Sequence, residues 1–598
     1  MGYYAQIAIN ILILMSLAVS LNLLLGYAGR VSMAQAVLFG IGAFTAARLV
    51  LPVADAEGVV AASGINYGLG WHWFPATIVA IAVTFVAALI ISLPAIRLIK
   101  GEYLILLTLA FQLGGEQILS VWQGFTGGPF GVAGIPPLKI GETSFSTLRE
   151  AGTILYAVLM LVVTIVVILV AWGLGESPFG RLLKTIRGNE TLLPSLGKNP
   201  VRPEMLAFGI TAAIAGGIGA LFAFSQGAMV PGNFSLDLSI LIISVVVLGG
   251  TGNILGTVLG AIVLGGLEPV LRQVLGDEGI PWQRVIYGAA LVLMMILRPA
   301  GLIPEGSFRR VKKTKPRVAS SVNTQDGQGI QFGKFTNKRT QSAQEDVDDV
   351  LTITDIRKSF GGLSAVGGAS FSLKKGQITA LIGPNGAGKT TIFNMVTGTL
   401  GCDSGSVTLN GRELTGMKPY EVERLGIARS FQDVRLNDNM TVLDNVAVAV
   451  PNQPGEKVSS LILHPIMSRK AENAVENIAL ECLTVLGVAD SANQLVKNLS
   501  YGDQKLVAIA RLLATDCDVL LLDEPTSGVD PGSVNLVIEG VSKLRDLGKT
   551  VCLVEHSVHF VERLADHAVF LDQGVVIAQG TVAELVSSDE LTELYFGN

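Results

Sequence analysis

The sequence predicts a multi-domain protein: an N-terminal all-α polytopic membrane domain, then a C-terminal α/β domain built around a phosphate loop. Three observations carry this. Hydrophobic residues make up 50% of the 598 residues and charged residues 15%, against about 25% charged in soluble domains. The long uncharged runs fill roughly the first 300 residues, and the remainder reads as an ordinary globular domain. Within that remainder, LIGPNGAGKTT (Leu381 to Thr391) fits the pattern G-x-x-x-x-G-K-[ST].

A membrane helix needs about 20 mostly apolar residues. Residues 5–25, 31–51, 74–98, 103–121, 153–173, 205–226, 238–274 and 282–297 are candidates, the seventh being too long for one span. Helices of soluble proteins average about 11–12 residues, so buried helices of a large soluble protein do not account for these runs. Glycine is dense in GIGAF, ITAAIAGGIGAL and VLGGTGNILGTVLGAIVLGG. Small residues let membrane helices approach closely, so packed helix interfaces are expected there. The segment MGYYAQIAIN lacks a basic region and a small-residue cleavage site, and reads as a retained membrane helix.

Charge sets the expected orientation. Arg30, the Arg97/Lys100 pair, residues 181–202 and residues 309–317 are the main basic clusters. The positive-inside rule places all four in the cytoplasm. This makes the chain a multi-pass protein of the cell's inner (plasma) membrane with its second half cytoplasmic. The Gly/Pro-rich loop 124–137 and the acidic piece 55–57 then fall outside. An even number of crossings must separate residues 181–202 from the second half. GGTGN (249–253) interrupts the long stretch, and its first arm, 238–248, is about 16 Å long, short of a core of about 30 Å. The expectation is a hairpin that enters from outside, turns part-way and returns outside, placing Asp277 outside.

The expected divisions are a membrane domain over 1–306, a basic and polar flexible linker over 307–349, and the α/β domain over 350–598. The linker is read as a solvated tether, and its basic start suits anionic lipid headgroups. The formal charge of −5 averages two unlike halves and calls for no nucleic acid. The four cysteines lie in the second half with no CxxC pair, which disfavours a metal site or a disulfide framework.

The chemistry of the second half begins at the phosphate loop. ITALI before it reads as a buried strand and TIFNMVTG after it as a helix. Gly383, Pro384, Asn385, Gly386, Ala387, Gly388, Lys389, Thr390 and Thr391 form the loop. Its backbone N–H groups can cradle phosphate oxygens, and the helix N-terminus adds a favourable dipole. Lys389 can reach the β- and γ-phosphates of ATP, and the Thr390 hydroxyl can ligate Mg²⁺. Four further pieces follow in order: SFQDVRL with Gln432, LSYGDQ opening a helix, the apolar strand VLLLDEP, and VCLVEHS ending at His556. Asp523 at a strand end can hold Mg²⁺ through water, and Glu524 is the natural general base for an attacking water. Both can face the nucleotide because the chain turns there. Gln432 and His556 are polar enough to touch the metal or the γ-phosphate. Phosphoryl transfer asks chiefly for such positioning and charge neutralisation.

With these five pieces in this order, residues 350–598 resemble an ATP-binding cassette (ABC) ATPase. The resemblance implies that LSYGDQ, through Ser500 and Gly502, binds the ATP held by an opposite cassette in a head-to-tail dimer. It also implies that Phe360 stacks on adenine, and that SGVD, ending at Asp530, crosses the dimer interface. Tyr501 replaces the commonest glycine of the signature, and Lys505 stands where many members have Arg. That tyrosine, with GPNGAGKTTIFNMVTG and RSFQDVRL, is similar to the cassettes of branched-chain amino acid importers. LNLLLGYAGRVSMAQAVLFGIGAF, KGEYLILLTLAF, TGGPFGVAGIP, SPFGRLLKTIRGNE and PAGLIPEG resemble the permeases of the same importers. SPFGRLLKTIRGNE sits where those permeases pass force from the cassette, and its Arg/Lys content suits an acidic groove.

The resemblance implies a permease fused to its ATPase, hydrolysing ATP with Mg²⁺ and forming half of a transporter. It needs a second permease and a second ATPase subunit, from another copy or from separate subunits, and an extracellular or periplasmic solute-binding protein. Branched-chain amino acids are the first expectation for cargo, with urea, amides or another small solute as the alternative. An ABC exporter or a membrane-anchored regulatory ATPase are the other readings. Exporters carry six long spans and extended cytoplasmic loops, unlike this chain.

Overall fold

In a computed structural model of the chain, residues 2–53, 68–98, 103–147, 149–275, 280–298, 300–305, 330, 349–555 and 558–586 are described. The linker 307–349 therefore lies outside the described residues except at 330 and 349, as do residues 55–57, Asp277 and His556. The chain divides into two compact units, Met1–Arg187 with Val201–Arg309, and Gly188–Pro200 with Arg310–Asn598. The short segment 188–200 thus packs with the second half of the sequence.

The first unit is all-α apart from two-residue strands. Its helices are α1 (Gly2–Asn22), α2 (Gln35–Val50), α3 (Trp73–Leu98), α4 (Tyr103–Val121), α5 (Glu150–Gly175), α6 (Pro178–Gly188), α7 (Val201–Gln226), α8 (Leu236–Gly249), α9 (Ile254–Leu275) and α10 (Ile280–Leu297). Among the described residues, seven helical runs are long and apolar enough to cross a membrane. The glycine stretches are where helices meet. A Cβ on Gly42 of α2 would stand 2.4 Å from the Cα of Gly216 on α7, so neither helix tolerates a side chain there. Buried polar groups in the bundle are bonded to one another. Asn22 donates to Thr257 (3.0 Å), Gln35 to Ser20 (3.0 Å), and Gln112 to the Phe234 carbonyl (2.9 Å). Without such partners each would be costly in an apolar interior.

Hydrogen bonds define two ends of this unit. At one end the Gly2 amide donates to Glu150 (3.2 Å), Thr147 to the Ser225 carbonyl (2.6 Å), and Val132–Ala133 pairs antiparallel with Ala228–Met229. At the other end Arg30 pairs with Glu204 (2.9 Å) and Arg187 with Glu305 (2.9 Å). The turn between α8 and α9 lies at this second end: the Gly252 amide donates to Asn22 (2.9 Å), and Leu302 donates to the Leu248 carbonyl (2.9 Å). This corrects the expected turn part-way along the hairpin. The reason is that α8 starts two residues earlier than its apolar pattern and is preceded by a helical turn at Pro231–Phe234. The apolar run Pro231–Gly249 is then long enough to cross. Helices α7, α8 and α9 each belong to a run long and apolar enough to cross a membrane.

The second unit holds two sheets. Strands β1 (Asp349–Phe360), β2 (Leu363–Lys374), β3 (Ile378–Ile382), β4 (Ser404–Leu409), β5 (Arg412–Glu413), β6 (Ile427–Arg429), β7 (Val519–Asp523), β8 (Thr550–Val554), β9 (His567–Asp572) and β10 (Val575–Gly580) form them. One sheet runs β6-β7-β8-β3-β9-β10, parallel except for the β9–β10 pair. The other runs β2-β1-β4-β5 and is antiparallel. Every residue of β3, β7 and β8 is buried, as continuous apolar runs in a covered parallel sheet require.

Candidate active site

The sheet register sets the site. Asp523 of β7 is level with Val554 of β8, and Val554 is level with Leu381 of β3. The residues just past these three strand ends therefore share one sheet edge: Glu524, Glu555, and the phosphate loop that leads into α11 (Lys389–Val396). Gly383 (φ +151°) and Gly388 (φ +92°) turn the loop. A Cβ at Gly383 would stand 2.0 Å from the Leu571 carbonyl oxygen, and one at Gly388 2.5 Å from that of Ala365. Only glycine fits these positions.

Lys389 is buried, and its ammonium donates to the carbonyls of Gly383 (2.6 Å) and Pro384 (2.9 Å). Burial lowers its pKa, and the nearby carboxylates of Glu524 and Asp523 pull the other way. Glu524 has left-handed backbone (φ +46°), uncommon for a residue with a side chain. This is the turn at the strand end, with the Glu524 amide bonded to the Val554 carbonyl (3.0 Å). The Gln432 amide donates to Glu524 Oε2 (2.9 Å). Gln432 and Glu524 thus meet, 92 residues apart in sequence.

Three residues that motif reading passed over hold this arrangement. Arg429 donates to Asp523 (2.8 Å) and Asn394 (2.6 Å), and both members of the ion pair are buried. Lys505, noted in the sequence only as a departure, donates to the backbone carbonyls of Gln432 (2.8 Å) and Glu524 (3.2 Å). Burial depresses its pKa, and Glu555 heads the charges that oppose the shift. Glu555 accepts from the Thr526 amide (3.0 Å) and hydroxyl (2.7 Å). Arg429 and Asp523 are 94 positions apart in sequence, so no linear pattern marked the pair. Glu555 carried no signal, and Lys505 only its place beside the signature glutamine.

The remaining expected residues gather in a second place. Ser500 caps α12 (Tyr501–Leu513) by accepting from the Asp503 amide (3.2 Å). Asp530 caps α13 (Pro531–Asp546) by accepting from the Ser533 amide (3.1 Å), and hydrogen bonds from the Ser533 side chain first, then its amide, hold the carboxyl below the usual range. A Cβ on Gly502 would meet the Ser533 side chain at 2.7 Å. Signature helix and SGVD loop are therefore one surface. Phe360 is half exposed at the end of β1, with the Lys358 ammonium 5.8 Å from its ring. Asn385, Gly386, Ala387 and Thr391 lie in the loop and first turn of α11, where Thr390 also sits.

The donor set suits a Mg²⁺ ion. Among the described residues no cluster of His, Cys, Asp or Glu could hold a metal by itself. Mg²⁺ is usually bound by one or two carboxylates with phosphate and water, and Thr390, Asp523 and the Gln432 carbonyl are oxygen donors of that kind.

The segment 188–200 is fixed to this unit. Arg435, three residues past Gln432, donates to Thr191 (2.6 Å), and its guanidinium stacks 3.7 Å from the centre of the Phe431 ring. Arg424 donates to the Gly197 carbonyl (2.9 Å). Lys198 is buried and donates to the carbonyls of Val448 (2.5 Å) and Val450 (3.1 Å), while pairing with Glu456. Leu192, Leu193 and Leu196 are buried as well.

Two family models match the chain. One, described as a branched-chain amino acid transport system permease component, covers residues 3–295, and one described as ABC transporter covers residues 366–527. The high-affinity branched-chain amino acid transport ATP-binding protein LivG of Salmonella typhimurium is 36% identical over 249 residues, 42% of this chain and 98% of LivG. The chain belongs to the branched-chain amino acid ABC transporter family. LivG of Escherichia coli K12 is 34% identical and BraF of Pseudomonas aeruginosa 32%, each over the same shares. A nucleotide-free ATP-binding cassette from an ABC transporter is 33% identical, with a TM-score of 0.37, covering 42% of this chain and 100% of that one. An ADP-bound form of such a cassette gives the same values. This member of the family carries permease and ATPase domains in one multi-pass membrane chain. The second domain binds ATP and hydrolyses it.

Proposed function

We propose that this chain is a fused permease–ATPase half-transporter that imports branched-chain amino acids or a closely similar small polar solute. Its partners are a second permease and cassette, either another copy or separate subunits, and a solute-binding protein outside the cell. It sits in the inner membrane with the ATPase in the cytoplasm. Domain limits of 1–306, 307–349 and 350–598 fit this division of labour. Arg30, Arg187 and Arg202 all belong to the end of the bundle that leads to the ATPase, which supports the orientation.

ATP lies along the phosphate loop with adenine on Phe360. Lys389 exchanges its two carbonyl partners for phosphate oxygens. Mg²⁺, held by Thr390, Gln432 and, through water, Asp523, would neutralise phosphate charge. Glu524 takes a proton from a water whose oxygen attacks the γ-phosphorus, while the bond to the β–γ bridging oxygen breaks and ADP leaves. In this reading His556 would serve the γ-phosphate, and Ser500, Gly502 and Asp530 would complete the site of the opposite cassette.

The observation that carries the reading is one short stretch with two ends. Gln432 touches Glu524, and Arg435 grips Thr191 of the permease-derived segment. A change at the γ-phosphate thus has a mechanical outlet toward the membrane half. The test is uptake of radiolabelled leucine, valine or isoleucine into proteoliposomes holding the full chain and its partner subunits. ATP inside and binding protein outside should both be required. Accumulation without a binding protein, or ATP-driven movement only in the opposite direction, would overturn import.

A further inference from the structure

The ATPase unit exposes one compact apolar tip. Helix α14 (Val458–Leu463) meets helix α15 (Pro465–Val485) at His464. Ile462, Leu463, Ile466 and Met467 are each between 67% and 74% exposed, within six residues. The corner is built, not frayed: the His464 amide donates to the Ser460 carbonyl (3.0 Å), the Ser468 amide to the His464 carbonyl (3.0 Å), and the Ser468 hydroxyl to the Ser460 carbonyl (3.1 Å). Behind it Ala471 and Val475 are buried. Lys457, Arg469 and Lys470 flank the tip and are exposed. Such a contiguous patch marks an interaction surface.

We infer that this tip inserts into the headgroup region of the lipid leaflet that faces the ATPase. The chain itself argues for the occupant. Glu456, two residues before α14, is paired with Lys198. Two residues, Asn199 and Pro200, separate Lys198 from Val201, where α7 begins, a reach of at most roughly 11 Å. Helix α7 has 26 residues, about 39 Å of helix against a core of about 30 Å, so its first turn stands at headgroup level. From Glu456 the tip is only one short helix away. Lipid is thus the apolar phase within reach, and three cations beside four apolar side chains fit an anionic leaflet. Interfacial helices bury an apolar face about 5–10 Å deep with Lys and Arg at the rim.

The test uses the full chain in lipid nanodiscs. In a Cys402→Ser background, Met467→Cys is labelled with an environment-sensitive fluorophore. Cys482, Cys517 and Cys552 are buried, and burial pushes the Cys552 thiol up to about 12, so they do not compete. Lipids brominated high on the acyl chain should quench the label. Iodide in the water should quench it at least about twofold less than the same label at Leu363→Cys, an exposed site at the start of β2. Adding Ile462→Glu and Ile466→Glu should reverse both responses. Iodide quenching equal to that at position 363 would overturn insertion. So would protection from both quenchers, which would mean that a protein surface covers the tip.

Discussion

Glu524 combines left-handed backbone with a hydrogen bond from Gln432, so its carboxylate is held where β7 runs out. Glu524→Gln should keep ATP binding and lower turnover by about 10²–10⁴-fold. Hydrolysis within threefold of wild type in the assembled complex would remove the residue from the role. Arg429 and Asp523 are a buried pair, and Arg429→Ala should destabilise the ATPase unit by about 3–5 kcal/mol by stranding the carboxylate. Denaturant titration of the cassette transition would show it. Lys389 gives a pH signature. Burial lowers its pKa in the free protein, and bound phosphates must raise it again. Binding therefore takes up a proton when the pH lies between the two values. Affinity should be full below the lowered value and fall as pH rises past it, by up to about tenfold per unit. Calorimetric titration with ATP from neutral to about pH 10 should show that loss. It should be absent from Lys389→Ala, which binds weakly throughout.

Secondary elements were largely legible because period and punctuation agree. Ser500, Asp530 and the glycines of the phosphate loop mark turns and caps by residue type alone, and the structure places each at such a turn or cap. The turn between α8 and α9 was found by its glycines but placed at the wrong depth, since hydropathy cannot register a helical turn such as Pro231–Phe234. The contacts of Lys505, Glu555 and Lys198 were invisible for a different reason. Their partners are backbone carbonyls, a remote hydroxyl and a distant carboxylate, which leave no pattern in a linear chain. At this scale the segment 188–200 makes the sharpest prediction. Lys198→Ala or Arg435→Ala should leave ATP hydrolysis within a few-fold of wild type and reduce transport by tenfold or more, because the segment loses a grip and not the nucleotide. Parallel loss of both activities would argue against a coupling role.

Across the whole molecule, the two units are joined twice, once through segment 188–200 and once through residues 307–349. We propose that the second connection, polar and without an apolar period in its sequence, acts as a spacer. Replacing 323–349 by a Gly/Ser tether of equal length should preserve transport, and a collapse at unchanged membrane level would show a sequence-specific element. The first connection has a consequence in time. Lys198 and its carbonyl partner at Val450 are 252 positions apart. A ribosome adding about 5–20 residues per second needs roughly 13–50 s to make that interval. Throughout it, Leu192, Leu193 and Lys198 are already synthesised while the surface that buries them does not exist. The nascent chain is thus committed to a waiting period with an unfinished loop at the membrane, when chaperones and proteases compete for it.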